Sequence, residues 1–377
     1  MVQVLLVGAL LAGLALAWMA LRTRHDRQRD WLRAATVLTL FLTFELVLFG
    51  AFTRLTDSGL GCPDWPGCYG NATPVGATAE IGAAQAAMPG GPVTHGKAWI
   101  EMVHRYMATG VGALILVLTL LSWQRHRRAD ARARTISPWW STLTLVWVCI
   151  QGAFGALTVT MKLFPAIVTA HLLGGLLLLA MLAVQAEQHR RLESGAQRLE
   201  IDRVTRNLML FTLYLLVIQL GLGGWVSANY AVLACTDFPT CHGRWWPKMD
   251  FAQGFEIWRE LGMTGAGDQV SFAALTAIHY VHRLMAYPVL AAIGVLAWRL
   301  RQREAMRGLA RALALMAVLQ LATGLGNVVL GWPLVAALLH TGGAAGLVLI
   351  LTWCWCASRA GQPAPFVATS QAIGSSR

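Results

Sequence analysis

Four histidines and four cysteines in this sequence are placed where the side chain itself could do chemistry. His104, His171, His282 and His340 fall inside long apolar runs, and Cys62, Cys68, Cys235 and Cys241 fall between such runs. An ionisable group within a membrane-crossing helix is costly, so it is read first as a functional group. A lone histidine there can equally serve as a hydrogen-bonding group between helices. Taken together the four say more. Each lies roughly two turns inside its helix at about 1.5 Å per residue, so the two histidines of each half share one depth. Two imidazoles carried inward at one level by facing helices suit axial ligation of a haem iron. Two histidines alone are too few for a zinc site. Gly174 and Gly175 follow His171, and Gly342, Gly343 and Gly346 follow His340, which is read as room for a flat ring. His25, His95, His126, His189 and His242 lie in loops and read as solvated surface groups.

The cysteines reveal a duplication. "CPDWPGCYG" at 62–70 and "CTDFPTCHG" at 235–243 match at a constant offset of 173 residues, pairing Asp64 with Asp237, Pro66 with Pro239 and Gly70 with Gly243. "IEMVHRYMA" at 100–108 answers "IHYVHRLMA" at 278–286, so His104 pairs with His282 and Arg105 with Arg283. Gln151 and Gln320 each precede a fourth-helix histidine by 20 residues. Landmarks in the same order at fixed spacing are the signature of an internal repeat. The halves differ at one informative place, where Glu101 stands opposite His279. Three residues before His104, it shares nearly the same helix face. A carboxylate there can move protons or stabilise a developing cation, or it can pair with Arg54 or Arg105.

The elements that position these groups are membrane helices. Charged residues make up 13% of the 377-residue chain and hydrophobic residues 56%, outside the range of soluble domains. Nine stretches, near 2–21, 31–53, 98–123, 138–160, 164–187, 205–227, 272–298, 308–331 and 333–357, reach the ~20 apolar residues needed to cross a bilayer. The expected fold is an all-α integral membrane protein: two tandem four-helix bundles in parallel, pseudo-twofold repeat, plus one extra N-terminal helix. An even number of helices per unit gives both copies the same orientation. The segments are 1–30, the extra helix with a basic loop; 31–190, the N-terminal half; 191–357, the C-terminal half; and 358–377, a disordered tail. The first helix lacks the basic n-region and cleavage site of a signal peptide and reads as retained.

The net charge of +12 does not indicate nucleic acid, because the arginines sit in alternate loops. Arg22, Arg24, Arg27, Arg29 and Arg33 form one group, and Arg125, Arg127, Arg128, Arg132 and Arg134 the next. Arg190, Arg191, Arg198, Arg203 and Arg206 form a third, and Arg299, Arg301, Arg303, Arg307 and Arg311 a fourth. The positive-inside rule makes these loops and the tail cytoplasmic, with the N-terminus and both cysteine loops outside. Thiol pairs outside the cytoplasm oxidise, so Cys62–Cys68 and Cys235–Cys241 are expected as disulfides, each worth about 2 kcal/mol in the loop-entropy account. They read either as structural lids over the histidines or as redox-active pairs. Cys149, Cys354 and Cys356 read as packing residues. Arg54, Arg105 and Arg283 are candidates to hold haem propionates by charge-assisted bonds; capping and topology are the competing roles. Glu45 either lines the N-terminal cavity or bonds across helices, for example to Gln151.

The set "GAFTRLTDSGLGCPDWPGC", "EMVHR", "TAHLLGG", "HYVHR" and "LLHTGG" resembles the heme A synthase family over roughly residues 31–357. The resemblance implies a bacterial inner-membrane or mitochondrial enzyme that oxidises the C8 methyl of heme O to a formyl group, by successive hydroxylations and loss of water. It also implies that His282 and His340 hold a permanent haem b, that His104 and His171 receive heme O, and that Glu101 is the catalytic carboxylate. The partners to expect are heme O, an electron donor, membrane lipid and a farnesyl-transferring heme O synthase. Assembly with further copies of the chain is left open. Three other readings compete, of which a transporter with parallel repeats lacks a broken helix or a substrate-like charge track. A membrane thiol-disulfide oxidoreductase using the outer cysteines leaves the four histidines unexplained, and a di-haem b electron-transfer subunit leaves Glu101 unexplained.

Overall fold

The computed structural model describes residues 2–23, 31–128 and 136–360. Among these, nine helices are long and apolar enough to cross a membrane. They are α1 (Val2–Thr23), α2 (Trp31–Leu55), α4 (His95–Arg128), α5 (Pro138–Thr160), α6 (Pro165–Ser194), α7 (Arg203–Ala228), α9 (Phe272–Leu300), α10 (Arg307–Val329) and α11 (Leu334–Ala357). Two shorter helices, α3 (Thr78–Ala87) and α8 (Phe251–Gly254), lie in the loops that also hold the cysteines. Helices predominate because a backbone in hydrocarbon must satisfy its polar groups internally. Buried threonines obey the same constraint: Thr36, Thr39 and Thr43 each donate to the carbonyl four residues earlier, at 2.7 to 2.8 Å.

Helices α2, α4, α5 and α6 pack as one set and α7, α9, α10 and α11 as another, joined by α6 against α7 and α11, and by α2 against α11. Helix α1 lies along α4, with its Gly8 so close to Thr109 that an added Cβ would come within 2.4 Å of the threonine methyl. Small residues permit this approach where no hydrophobic force drives helices together.

Hydropathy alone misplaces some ends. Helix α4 has 34 residues, about 51 Å of helix against a hydrocarbon core of ~30 Å. Helix α6 runs to Ser194, past the expected end at 187. Polar residues with good helix propensity continue both helices beyond the apolar stretch. His189, expected on a solvated loop, therefore lies within α6 and is buried. The arginine-rich ends meet on one side, where Arg191 is bonded to Glu187 and to the carbonyl of Cys356, and Arg33 to Glu193. There the first residues of the expected tail form a strand: β1 (Leu199–Ile201) pairs in parallel with β2 (Ser358–Ala360). Arg206 clamps this pairing, stacking 3.8 Å over Trp355 and donating to the Ser358 carbonyl. Arg24, Arg27, Arg29, Arg132, Arg134, His25 and the tail from 361 lie outside the described residues.

Candidate functional site

The cysteine loops are built alike. Cys62 is bonded to Cys68 and Cys235 to Cys241. Asp64 accepts from the amides of Tyr69 and Gly70, and Asp237 from those of His242 and Gly243. Tyr69–Gly70 and His242–Gly243 all have positive φ, a region that glycine enters freely, so the matched Gly70 and Gly243 are turn requirements. The Thr240 hydroxyl, with the Gly243 and His242 amides, holds the Asp237 carboxyl well below the usual carboxylate range.

Both loops are tied down onto the helix that carries the first histidine of their half. On α4, Glu101 is 4% exposed. One of its oxygens accepts from the Cys62 amide at 2.8 Å and the other from Arg105 at 2.5 Å. Arg105 also donates to the carbonyls of Asp64, at 2.9 Å, and Gly67. On α9, Arg283 donates to Thr240 at 3.2 Å and to Pro239 at 3.4 Å. Of the three arginines expected at haem propionates, two therefore reach the loops. The reason is angular, since a residue adjacent to the histidine is turned about 100° around the helix. Arg54 reaches across the halves, bonding the carbonyl of Ser227 and lying 3.8 Å over the Tyr230 ring, whose hydroxyl bonds Asp57. Both of these hydrogen bonds join residues 173 apart. Since 173 is the repeat offset, each residue meets its own counterpart, as happens beside a pseudo-twofold axis.

Each of the four histidines lies against a glycine on a neighbouring helix. A Cβ at Gly50 would come 3.0 Å from His104 Nε2, and one at Gly223 3.0 Å from His282 Cε1. A Cβ at Gly155 would come 3.5 Å from His171 Cε1, and one at Gly324 3.2 Å from His340 Cε1. Gly50 and Gly223 are repeat mates, as are Gly155 and Gly324. This quartet escaped the sequence reading, although its spacing repeats as faithfully as that of the cysteines. Four of the five glycines expected to give ring space pack against side chains: Gly174 and Gly343 accommodate the amides of Gln151 and Gln320, and Gly342 and Gly346 face Leu48 and Met316, whereas Gly175 meets open space. Gly174 and Gly343, three residues from a histidine, thus face the same neighbouring helices, α5 and α10, as the histidines do. Gln151 bonds neither His171 nor Glu45, and its carbonyl oxygen is buried without a partner.

The arrangement fits an iron held by opposed imidazoles. The His282 and His340 ring centroids are 6.5 Å apart with planes at 85°. An iron about 2 Å from each ligating nitrogen places two opposed ring centroids roughly 6 to 6.5 Å apart. His104 stacks on Phe49 at 6.5 Å. The buried Nδ1 atoms of His171 and His282 have no protein partner.

Comparison with known proteins agrees in extent with this architecture. Residues 33–352 match the COX15-CtaA family, described as cytochrome oxidase assembly protein. The chain is 37% identical over 314 residues to the heme A synthase of Shewanella oneidensis, covering 83% of this chain and 92% of that protein. It is 28% identical over 361 residues to the heme A synthase of Caulobacter vibrioides, covering 87% and 96%. The match spans both helix sets, both cysteine loops and all four histidines, and the chain belongs to the COX15-CtaA family of cytochrome oxidase assembly proteins.

Proposed function

We propose that this protein is a heme A synthase that converts the C8 methyl of heme O to a formyl group by two hydroxylations and loss of water. The observation that carries this reading is an asymmetry between the two glycine-backed histidine cradles: the N-terminal one has a buried carboxylate, Glu101, tied to its lid, and the C-terminal one has His279 in its place. The unit 31–190 binds heme O between His104 and His171, and 191–357 binds haem b between His282 and His340. Haem b supplies a one-electron redox centre. Glu101 takes up protons as the methyl carbon is oxidised, or stabilises positive charge there. Arg283, whose Nη1 is buried without a partner, is the best placed of the three arginines to donate to a propionate. The disulfide loops are lids on the outer side of the cytoplasmic membrane, opposite the arginine-rich ends. Heme O then comes from a farnesyl-transferring enzyme in the same membrane. Haem extracted from cells with and without the protein tests the reaction.

The cradle makes a separate prediction. Gly223→Leu inserts a side chain where even a Cβ comes 3.0 Å from His282. Overpacking of this kind costs about 1–3 kcal/mol, roughly 5- to 150-fold in an equilibrium constant, so b-type absorbance per protein falls. Gly13→Leu, at a position that meets open space, leaves it unchanged. Absorbance spectra of the two purified variants make the comparison.

A further inference from the structure

The two cradles hold their histidines differently. In the C-terminal half, His340 Nδ1 lies 3.0 Å from the Thr323 hydroxyl. That hydroxyl lies 2.7 Å from the Leu319 carbonyl, an acceptor for its own proton, which leaves its lone pairs to accept from the ring. In that arrangement Nδ1 carries the ring proton and Nε2 is bare. Gln320 anchors the same residue through its carbonyl, at 2.9 Å, and Gln219 anchors the His282 carbonyl at 3.2 Å.

The N-terminal half lacks all three contacts. Phe154 stands at the repeat position of Thr323 and Leu46 at that of Gln219. Gln151 lies against Gly174 as its mate Gln320 lies against Gly343, yet it makes no bond to the His171 carbonyl, and His171 Nδ1 is buried without a partner. Partners of this kind orient a ligating histidine and raise its basicity.

We propose that Thr323 is a positioning residue that locks His340 onto a haem that stays, and that Phe154 leaves His171 unlocked so that its haem exchanges. This inference rests on the two-haem reading above and deepens it. The N-terminal site must admit one haem and release another at every turnover, whereas the C-terminal site needs no exchange. A hydroxyl at one repeat position and a phenyl ring at the other give one duplicated fold both behaviours.

The test uses purified, haem-loaded protein and measures haem transfer to excess apomyoglobin, together with the haem b midpoint potential. Loss of an outer partner of a metal ligand costs about 10- to 100-fold in affinity. Thr323→Val therefore releases haem b at least about tenfold faster and raises its potential, because a less basic imidazole stabilises ferric iron less. Thr323→Ser keeps the hydroxyl and stays near wild type in both. Phe154→Thr gives His171 the missing acceptor and slows release of haem from the N-terminal half. Thr323→Val with unchanged release and potential overturns the lock, and Phe154→Thr with unchanged release overturns the exchange half of the proposal. His340→Ala separates this inference from the reading beneath it. Retention of haem b in that variant refutes the haem assignment itself, whereas its loss there beside a wild-type Thr323→Val refutes only the lock.

Discussion

His282→Ala and His340→Ala each remove most of the b-type haem absorbance from the purified protein, while His104→Ala keeps it. The expectation follows from the geometry of the C-terminal cradle. Its two rings stand at the 6.5 Å separation and near-perpendicular planes that fit one iron between them, Thr323 bonds the His340 ring, and Gln320 and Gln219 bond the backbone carbonyls of His340 and His282. Removal of either ring takes away one of the two ligands proposed for that iron. The N-terminal pair lacks comparable anchoring, so on the two-haem reading its haem is expected to dissociate faster. Reduced-minus-oxidised difference spectra of the three variants, normalised to protein, make the comparison. Equal loss from His104→Ala and His282→Ala would contradict the division of labour.

Glu101→Gln retains haem b and stops heme O conversion, by about 10²- to 10⁴-fold as for loss of a general acid–base group. The glutamine variant is more informative than alanine. Its carbonyl oxygen still accepts from the Cys62 amide, so the lid remains tethered, and Arg105 keeps its bonds to Asp64 and Gly67. What disappears is the negative charge and the proton-accepting oxygen. Conversion per bound heme O, measured by extracting and separating the pigments, isolates that loss. Near-normal conversion in Glu101→Gln, combined with failure in Glu101→Ala, would make the residue a lid tether and nothing more.

Much of this arrangement is legible in the sequence, for identifiable reasons. Hydropathy locates the membrane helices because each is set by one local quantity, the length of an apolar run. The repeat finds His104, His171, His282, His340 and the cysteines because rare residue types at fixed spacing stand out. Glycine does not stand out, since it is frequent in membrane helices, and so Gly50, Gly155, Gly223 and Gly324 were passed over despite an equally constant spacing. The destinations of Arg105 and Arg283 depend on how the chain from Asp64 to Gly67, or from Pro239 to Thr240, folds back over its helix. That path leaves no periodic trace. Thr323 was illegible for a related reason, because its bond to His340 requires the register of α10 against α11. The β1–β2 pairing joins segments 159 residues apart at Glu200 and Arg359 with only three residues on each side, too few for an alternating pattern.

The central claim is a reaction, and the most direct measurement is of its substrate and product. Haem extracted from cells that lack this protein, but otherwise make heme O, contains heme O and no heme A, and restoring the gene converts the pool to heme A. Normal heme A in the deleted cells would contradict the account.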